Sequence, residues 1–289
     1  MSAREPVILC ELSEETERLI NDYAEALKAH APRIGDHGMN NDEFWQSGPF
    51  RAAIERLRGT QAATTSEKRE FIEKVLDFLK QQGKITDWKF SGSGERHDYE
   101  VRVGDRICVI EAKGCLDGNN TNTFQRPANA DEFIIWSLCQ NPGSDPRHNA
   151  WSGIHTRLSA EMISRKERVD GLIIWDMLCG TKGRICPNLT AAPGRAAQID
   201  ATQVPPPCLY LFPRTVPDAR NNPAPQCWKI NEVEFLKILY DAFQCDAQDV
   251  VEIGINVQMS GPDVARKTIW KRGDNVVAES QWTKIKRAQ

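Results

Sequence analysis

At Gly83 the hydrophobic period of this chain drops from 3.6 residues to two. Before it, Phe71, Ile72, Val75, Leu76 and Leu79 fall on one helical stripe, so Ser66–Gln82 reads as a helix with Ser66 as its cap and Gly83 as its stop. After it, Trp88–Phe90 is a short apolar run and Ser91-Gly92-Ser93-Gly94 a flexible break. Tyr99, Val101 and Val103 then alternate with Glu100 and Arg102, Gly104-Asp105 turns the chain, and Ile107–Ile110 runs on into Glu111-Ala112-Lys113. That pattern predicts an antiparallel hairpin laid against a helix.

The remainder has the same mixed character. Residues 11–30 carry apolar residues at helical spacing behind Ser13, Ile34–Gly48 is polar loop, and Phe50–Leu57 is a short helix. Phe133–Leu138 is an apolar patch, Asn141–Pro146 a breaker cluster, and Trp151–Arg168 a helix. Val169–Leu178 and Cys208–Phe212 read as strands, the second set among seven prolines between Pro205 and Pro225. Asn231–Phe243 reads as a helix capped by Asn231, followed by strands at Val250–Met259, Lys267–Lys271 and Val276–Trp282. No βαβαβ rhythm appears, so the expected class is α/β around a mixed β-sheet flanked by helices. Residues 1–289 are expected to form a single domain, with an N-terminal helical part to 65, a core over 66–178 and C-terminal strands and a helix over 179–289.

No apolar run approaches the ~18 residues of a membrane span, and the acids of the first fifteen residues stand where a signal peptide needs an apolar core. The expectation is a cytoplasmic protein with no membrane partner. Nine cysteines without any C-x-x-C pair fit reduced thiols better than zinc, leaving a cryptic set at Cys179, Cys186, Cys208 and Cys227 open. Neither a Walker loop nor a Rossmann fingerprint nor a nucleophile elbow is present.

The chemistry concentrates on the hairpin. Seven positions lead from Asp98 to the Gly104-Asp105 turn and seven from the turn to Glu111, so the two carboxylates are expected roughly opposite each other. Glu111 and Lys113 share a strand face while Ala112 turns away. Paired carboxylates repel unless a cation lies between them, and hard oxygen ligands suit Mg²⁺, for which Mn²⁺ can substitute. With a lysine alongside to neutralise developing charge, the set suits metal-assisted hydrolysis of a phosphodiester.

The segment Asp98…Glu111-Ala112-Lys113 resembles the PD-(D/E)xK nuclease superfamily, most closely its type II restriction endonucleases. The helix, short strand and Gly-rich turn ahead of it resemble the same family, over residues 66 to about 178. The resemblance implies a restriction-endonuclease-like core and Mg²⁺-dependent DNA cleavage. Asp98 and Glu111 would bind the metal with the carbonyl of Ala112, and Lys113 would assist the water. His97 stands where the family name has proline. A helix glutamate often joins such sites; Glu67, Glu70 and Glu73 are candidates, with Glu67 and Glu73 nearer the stripe's edge.

Thirty-seven Lys and Arg against 40 Asp and Glu leave a formal charge of −3, so a polyanion must be met by local basic excess. Arg147, Arg157, Arg165, Lys166 and Arg168 supply one, along the Trp151–Arg168 helix and just before it. Asn119, Asn120 and Asn122 form an amide loop able to read adenine edges. The last 24 residues carry seven Lys and Arg against two acids. The expected partner is double-stranded DNA, met by a homodimer matching a palindromic site, with a cognate DNA methyltransferase in the same system. Two alternatives stay open: a structure-specific repair or recombination nuclease, and a non-catalytic DNA-binding relative.

Overall fold

Local pattern and turn chemistry account for the first elements. A computed structural model describes residues 13–16, 18–19, 22, 65–91, 97–113, 125–139, 154–176, 197–199, 202–204 and 206–285. Helix α1 spans Thr65–Gln81, so Ser66 lies inside it, and Gly83 ends it at φ +64°. Ser13 does start a helical stretch, its Oγ accepting the Thr16 N–H at 3.1 Å.

Three strands follow as an antiparallel meander: β1 (Asp87–Phe90), β2 (Tyr99–Val103) and β3 (Arg106–Lys113). The β2–β3 turn is the expected Gly104-Asp105, with Gly104 at φ +58°, where a Cβ would be strained. The Phe133–Leu138 patch is strand β4 (Glu132–Cys139), parallel to β3. Helix α2 (Ile154–Arg165) leads to β5 (Gly171–Asp176), parallel to β4. Strands β6 (Ala197–Ile199) and β7 (Thr202–Val204) form a small separate hairpin. Strand β8 (Cys208–Leu211) pairs antiparallel to β5 and parallel to β9 (Val250–Ser260). Then come β10 (Asp263–Arg272), β11 (Asn275–Glu279) and β12 (Thr283–Lys284).

The result is mixed α/β: one ten-stranded mixed sheet in the order β1-β2-β3-β4-β5-β8-β9-β10-β11, with β12 also on β10. Alternation splits its apolar residues into two layers. Tyr99, Ile110, Ala112, Trp136 and Trp175 pack on one face with α1 and with α3 (Glu234–Ala242). Val109, Phe133, Ile135, Leu172 and Ile174 pack on the other with Leu158 and Met162 of α2. The approach of α3 is close at Gly171, where a Cβ would run into Leu236 and lie 3.1 Å from the Tyr210 carbonyl.

One expectation needs correction here. Asn231 does not cap the last helix: it lies in a 3-10 turn (Ile230–Glu232), and α3 starts at Glu234. Its first N–H groups are met by Glu132 of β4, whose Oε1 accepts from Glu234 at 2.6 Å and Oε2 from Phe235 at 3.0 Å. Glu100 is buried, with Lys89 at 3.1 Å and Arg102 at 3.3 Å to neutralise it. No helix among the described residues is long and apolar enough to cross a membrane.

Candidate active site

Asp98 is held by three hydrogen bonds. Its N–H donates to the Ile110 carbonyl at 3.1 Å, and its carbonyl accepts from Ser91 N–H at 2.8 Å. Its Oδ2 accepts from Ala112 N–H at 2.8 Å. Regular β2–β3 pairing begins only at Tyr99↔Ile110, so Ala112 would lack a strand partner for its N–H, and the Asp98 side chain supplies one. Carried one step past Tyr99↔Ile110, the register sets Asp98 across from Glu111, as counting along the strands expects. Asp98 is bonded to the residues on either side of Glu111, Ile110 and Ala112. Its other oxygen, Oδ1, accepts no hydrogen bond from a described residue.

Glu111 is 6% exposed and alternates with Ile110 and Ala112, which places it on the α2 face of the sheet. Lys113 closes β3 in register with the buried Ser137 of β4, while its side chain lies outside the described residues. Because β3, β4 and β5 are parallel, Lys113, Cys139 and Asp176 end their strands at one edge of the sheet.

The helix glutamates separate. Glu70 is exposed and tied to Lys74 at 2.8 Å. Glu73 is half-buried and acts on Tyr99, whose phenol is pushed up mainly by burial, with the charges of Glu73 and Asp98 adding and Arg69 opposing. The side chain of Glu67 is outside the described residues. Helix α1 packs on the face opposite Glu111, so Glu73 approaches from the Tyr99 side of the strand.

Among the described residues no group of three or more His, Cys, Asp and Glu forms a metal cage. The donor set at Asp98 and Glu111 is two carboxylates with the Ala112 main chain. That suits a hard divalent ion completing its shell with water and a phosphate oxygen, and does not suit a soft or fully protein-ligated one. Among the described residues the cysteines form no such cage: Cys208 and Cys227 are buried thiols, the latter pushed up to about 12 by burial, and Cys179 and Cys186 lie outside the described residues.

The basic residues of α2 have uneven roles. Arg165 pairs with Glu161 at 2.6 Å one turn back. Lys166 is exposed and takes φ +56° as the helix ends. Arg168 is committed inward: it lies 2.8 Å from Asp170, its guanidinium sits 5.7 Å from the Trp228 ring centre, and its Nη1 donates to the Arg214 carbonyl at 3.4 Å. Its first partner is a buried acid, which accounts for the side chain without DNA. Arg147, Asn119, Asn120 and Asn122, and the side chain of Arg157, lie outside the described residues.

Asp170 itself escapes sequence reasoning. It is 2% exposed, pairs with Arg126 and Arg168, and accepts from Phe133 N–H at 2.9 Å and Trp228 Nε1–H at 3.0 Å. A lone aspartate before an apolar run carries no signal of a tryptophan 58 residues on.

No family model, curated protein or solved structure matches this chain.

Proposed function

We propose that this chain is a Mg²⁺-dependent endonuclease that hydrolyses phosphodiester bonds of double-stranded DNA at a short specific site, in the manner of type II restriction endonucleases. The observation that carries the reading is the pinning of Asp98 beside the buried Glu111 at the end of β3. The order of helix, three-stranded meander and parallel β4 around that point supports it.

When bound, Mg²⁺ or Mn²⁺ would supply Lewis acidity that stabilises charge developing on the phosphoryl group and makes a water more acidic. Asp98 offers Oδ1 while Oδ2 stays on the strand, which fixes the carboxylate's direction. Glu111 provides the second carboxylate from a site shielded from bulk water, where electrostatic attraction is stronger. The Ala112 carbonyl is the third donor, and Lys113 neutralises charge on the phosphoryl group and orients the water. The protein acts as a cytoplasmic homodimer, each subunit cutting one strand of a palindromic site, and a cognate methyltransferase protects the same sites.

The test is digestion of a fully sequenced plasmid by purified protein with Mg²⁺, then with Mn²⁺. Discrete bands are expected, and Lys113→Ala should lower the rate by about 10²-fold or more. Plasmid left intact with both ions, or Lys113→Ala cutting like wild type, would overturn the reading. A smear in place of bands would overturn its site specificity.

A further inference from the structure

Helix α1 lies along β1 with its first turns at the sheet edge that carries Asp98. Lys80 in its last turn meets Asp87, at the start of β1, at 2.7 Å, and Trp88 Nε1–H donates to Asp77 at 3.0 Å. Near the start of the helix, Arg69 reaches the other end of that strand, its guanidinium carbon 4.3 Å from the centre of the Phe90 ring. Phe90 pairs with Tyr99, the residue after Asp98, and Ser91 N–H donates to the Asp98 carbonyl at 2.8 Å. Arg69 therefore stands beside the candidate site on the α1 side of the sheet, while Glu111 faces the α2 side.

The cations around Arg69 are answered by acids. Lys74 meets Glu70, Lys80 meets Asp87, Lys89 and Arg102 share Glu100, and Arg106 meets Glu132. Arg69 is exposed, and no carboxylate among the described residues, Glu73 one turn on included, forms an ion pair with it. Aromatic groups hold it instead: the guanidinium lies over Phe90, and it bears on the Tyr99 phenol. A guanidinium has five N–H donors, so one ring and one phenol leave most of them for a ligand. A cation kept without an acid beside Asp98 and Glu111 suits an anion that arrives with the substrate.

We propose that Arg69 binds a backbone phosphate of the DNA next to the scissile one, gripping the strand from the α1 side while Glu111 acts from the α2 side. The guanidinium fork matches two oxygens of one phosphate. Its placement on Phe90 reduces the side-chain freedom lost on binding. Such a contact positions the backbone and carries no sequence information. The DNA rests on the nuclease reading; the role of Arg69 goes beyond it, as a binding residue that does not touch the reacting atoms. Lys84 supplies the comparison, being exposed and without an ion pair among the described residues, but just past the far end of α1.

The experiment follows anisotropy of a short labelled duplex across sodium chloride concentrations, with Ca²⁺ replacing Mg²⁺ to keep the duplex whole. Thermal unfolding and plasmid cleavage in Mg²⁺ run alongside. Arg69→Gln should bind about tenfold more weakly. Its plot of log affinity against log salt should be shallower by about 0.9, the signature of one lost phosphate contact. Its Tm should fall by no more than about 3 °C, since the side chain is exposed. Arg69→Lys should keep the wild-type slope with intermediate affinity. Lys84→Gln, the same loss of charge at the far end, should change neither. In cleavage, Arg69→Gln should raise KM more than it lowers kcat.

Wild-type slope and affinity in Arg69→Gln, or an equal loss in Lys84→Gln, overturns the proposal and leaves the nuclease reading in place. Weaker binding at an unchanged slope with a much lower Tm also overturns it, and makes Arg69 a clamp between α1 and β1. A wild type that binds with this dependence on Arg69 but cuts no plasmid sinks the nuclease reading and leaves the phosphate contact standing. A wild type that neither binds nor cuts overturns both.

Discussion

The Asp98 carboxylate has a structural role on the strand and a proposed one in catalysis, and substitutions can separate them. Oδ2 completes the hairpin by accepting the Ala112 N–H, while Oδ1 accepts from no described residue and is the oxygen assigned to the proposed reaction. Asp98→Asn keeps an acceptor for Ala112 and should unfold in urea within about 0.5 kcal/mol of wild type, whereas Asp98→Ala should cost about 1 kcal/mol. Both should abolish plasmid cleavage. Cleavage surviving in Asp98→Asn would remove the carboxylate from the proposed reaction. At this scale the residue types were legible: an acid before an alternating strand and E-A-K at the end of the next. The bond from the Ala112 N–H to the Asp98 side chain was not, because it depends on where regular pairing begins. The fate of Arg168 was equally hidden, since Asp170 lies two residues on but Trp228 reaches it only through the fold.

Elements here are finished by distant side chains. Helix α3 has a valine at its N-cap with no side-chain bond, and Glu132 from the start of β4 accepts its first N–H groups instead. Glu132→Ala should therefore cost about 1–3 kcal/mol by leaving buried donors unmet. Burial raises the Glu132 carboxyl above its ordinary 4.5, although both N–H groups and Arg106 pull the other way. The native state thus holds this proton to higher pH than the unfolded chain does. Its contribution to stability is full below the unfolded value and declines as pH rises through the raised one. Wild type should lose ground to Glu132→Gln in urea unfolding as pH climbs from 4.5, then run parallel to it; a constant difference across that range would contradict the assignment. The periodicity of α1 and the turn at Gly104 were readable because both are local. The cap of α3 was not, since its donor and acceptor stand 102 residues apart in sequence.

Across the whole molecule, the segment expected as a core and the C-terminal strands are one sheet. Strand β5 is flanked by β4 and β8, and Gly171 pairs with both Ile134 and Leu211. A chain ending at residue 206 would bare the edge of β5 and strip Trp228 from Asp170. That fragment should elute as aggregate in gel filtration; a monodisperse fragment with an intact near-UV signal would show that the early strands stand alone. The far edge is better guarded: pairing to β11 slips between Trp270 and Lys271, a bulge that discourages edge-to-edge association.

By itself, the sequence determined the helix-to-strand switch at Gly83, the hairpin at Gly104 and the carboxylates and lysine grouped at one strand end. Those features depend on side-chain spacing and on which residues tolerate a turn, and both act within a few positions. Only the tertiary structure decided which charges are buried and with whom: Glu132 on α3, Arg168 on Asp170, and Arg266 beneath α2 without an acid among the described residues. The sheet order that brings β5 to β8 and β9 sets these partnerships, and burial makes each one costly to break.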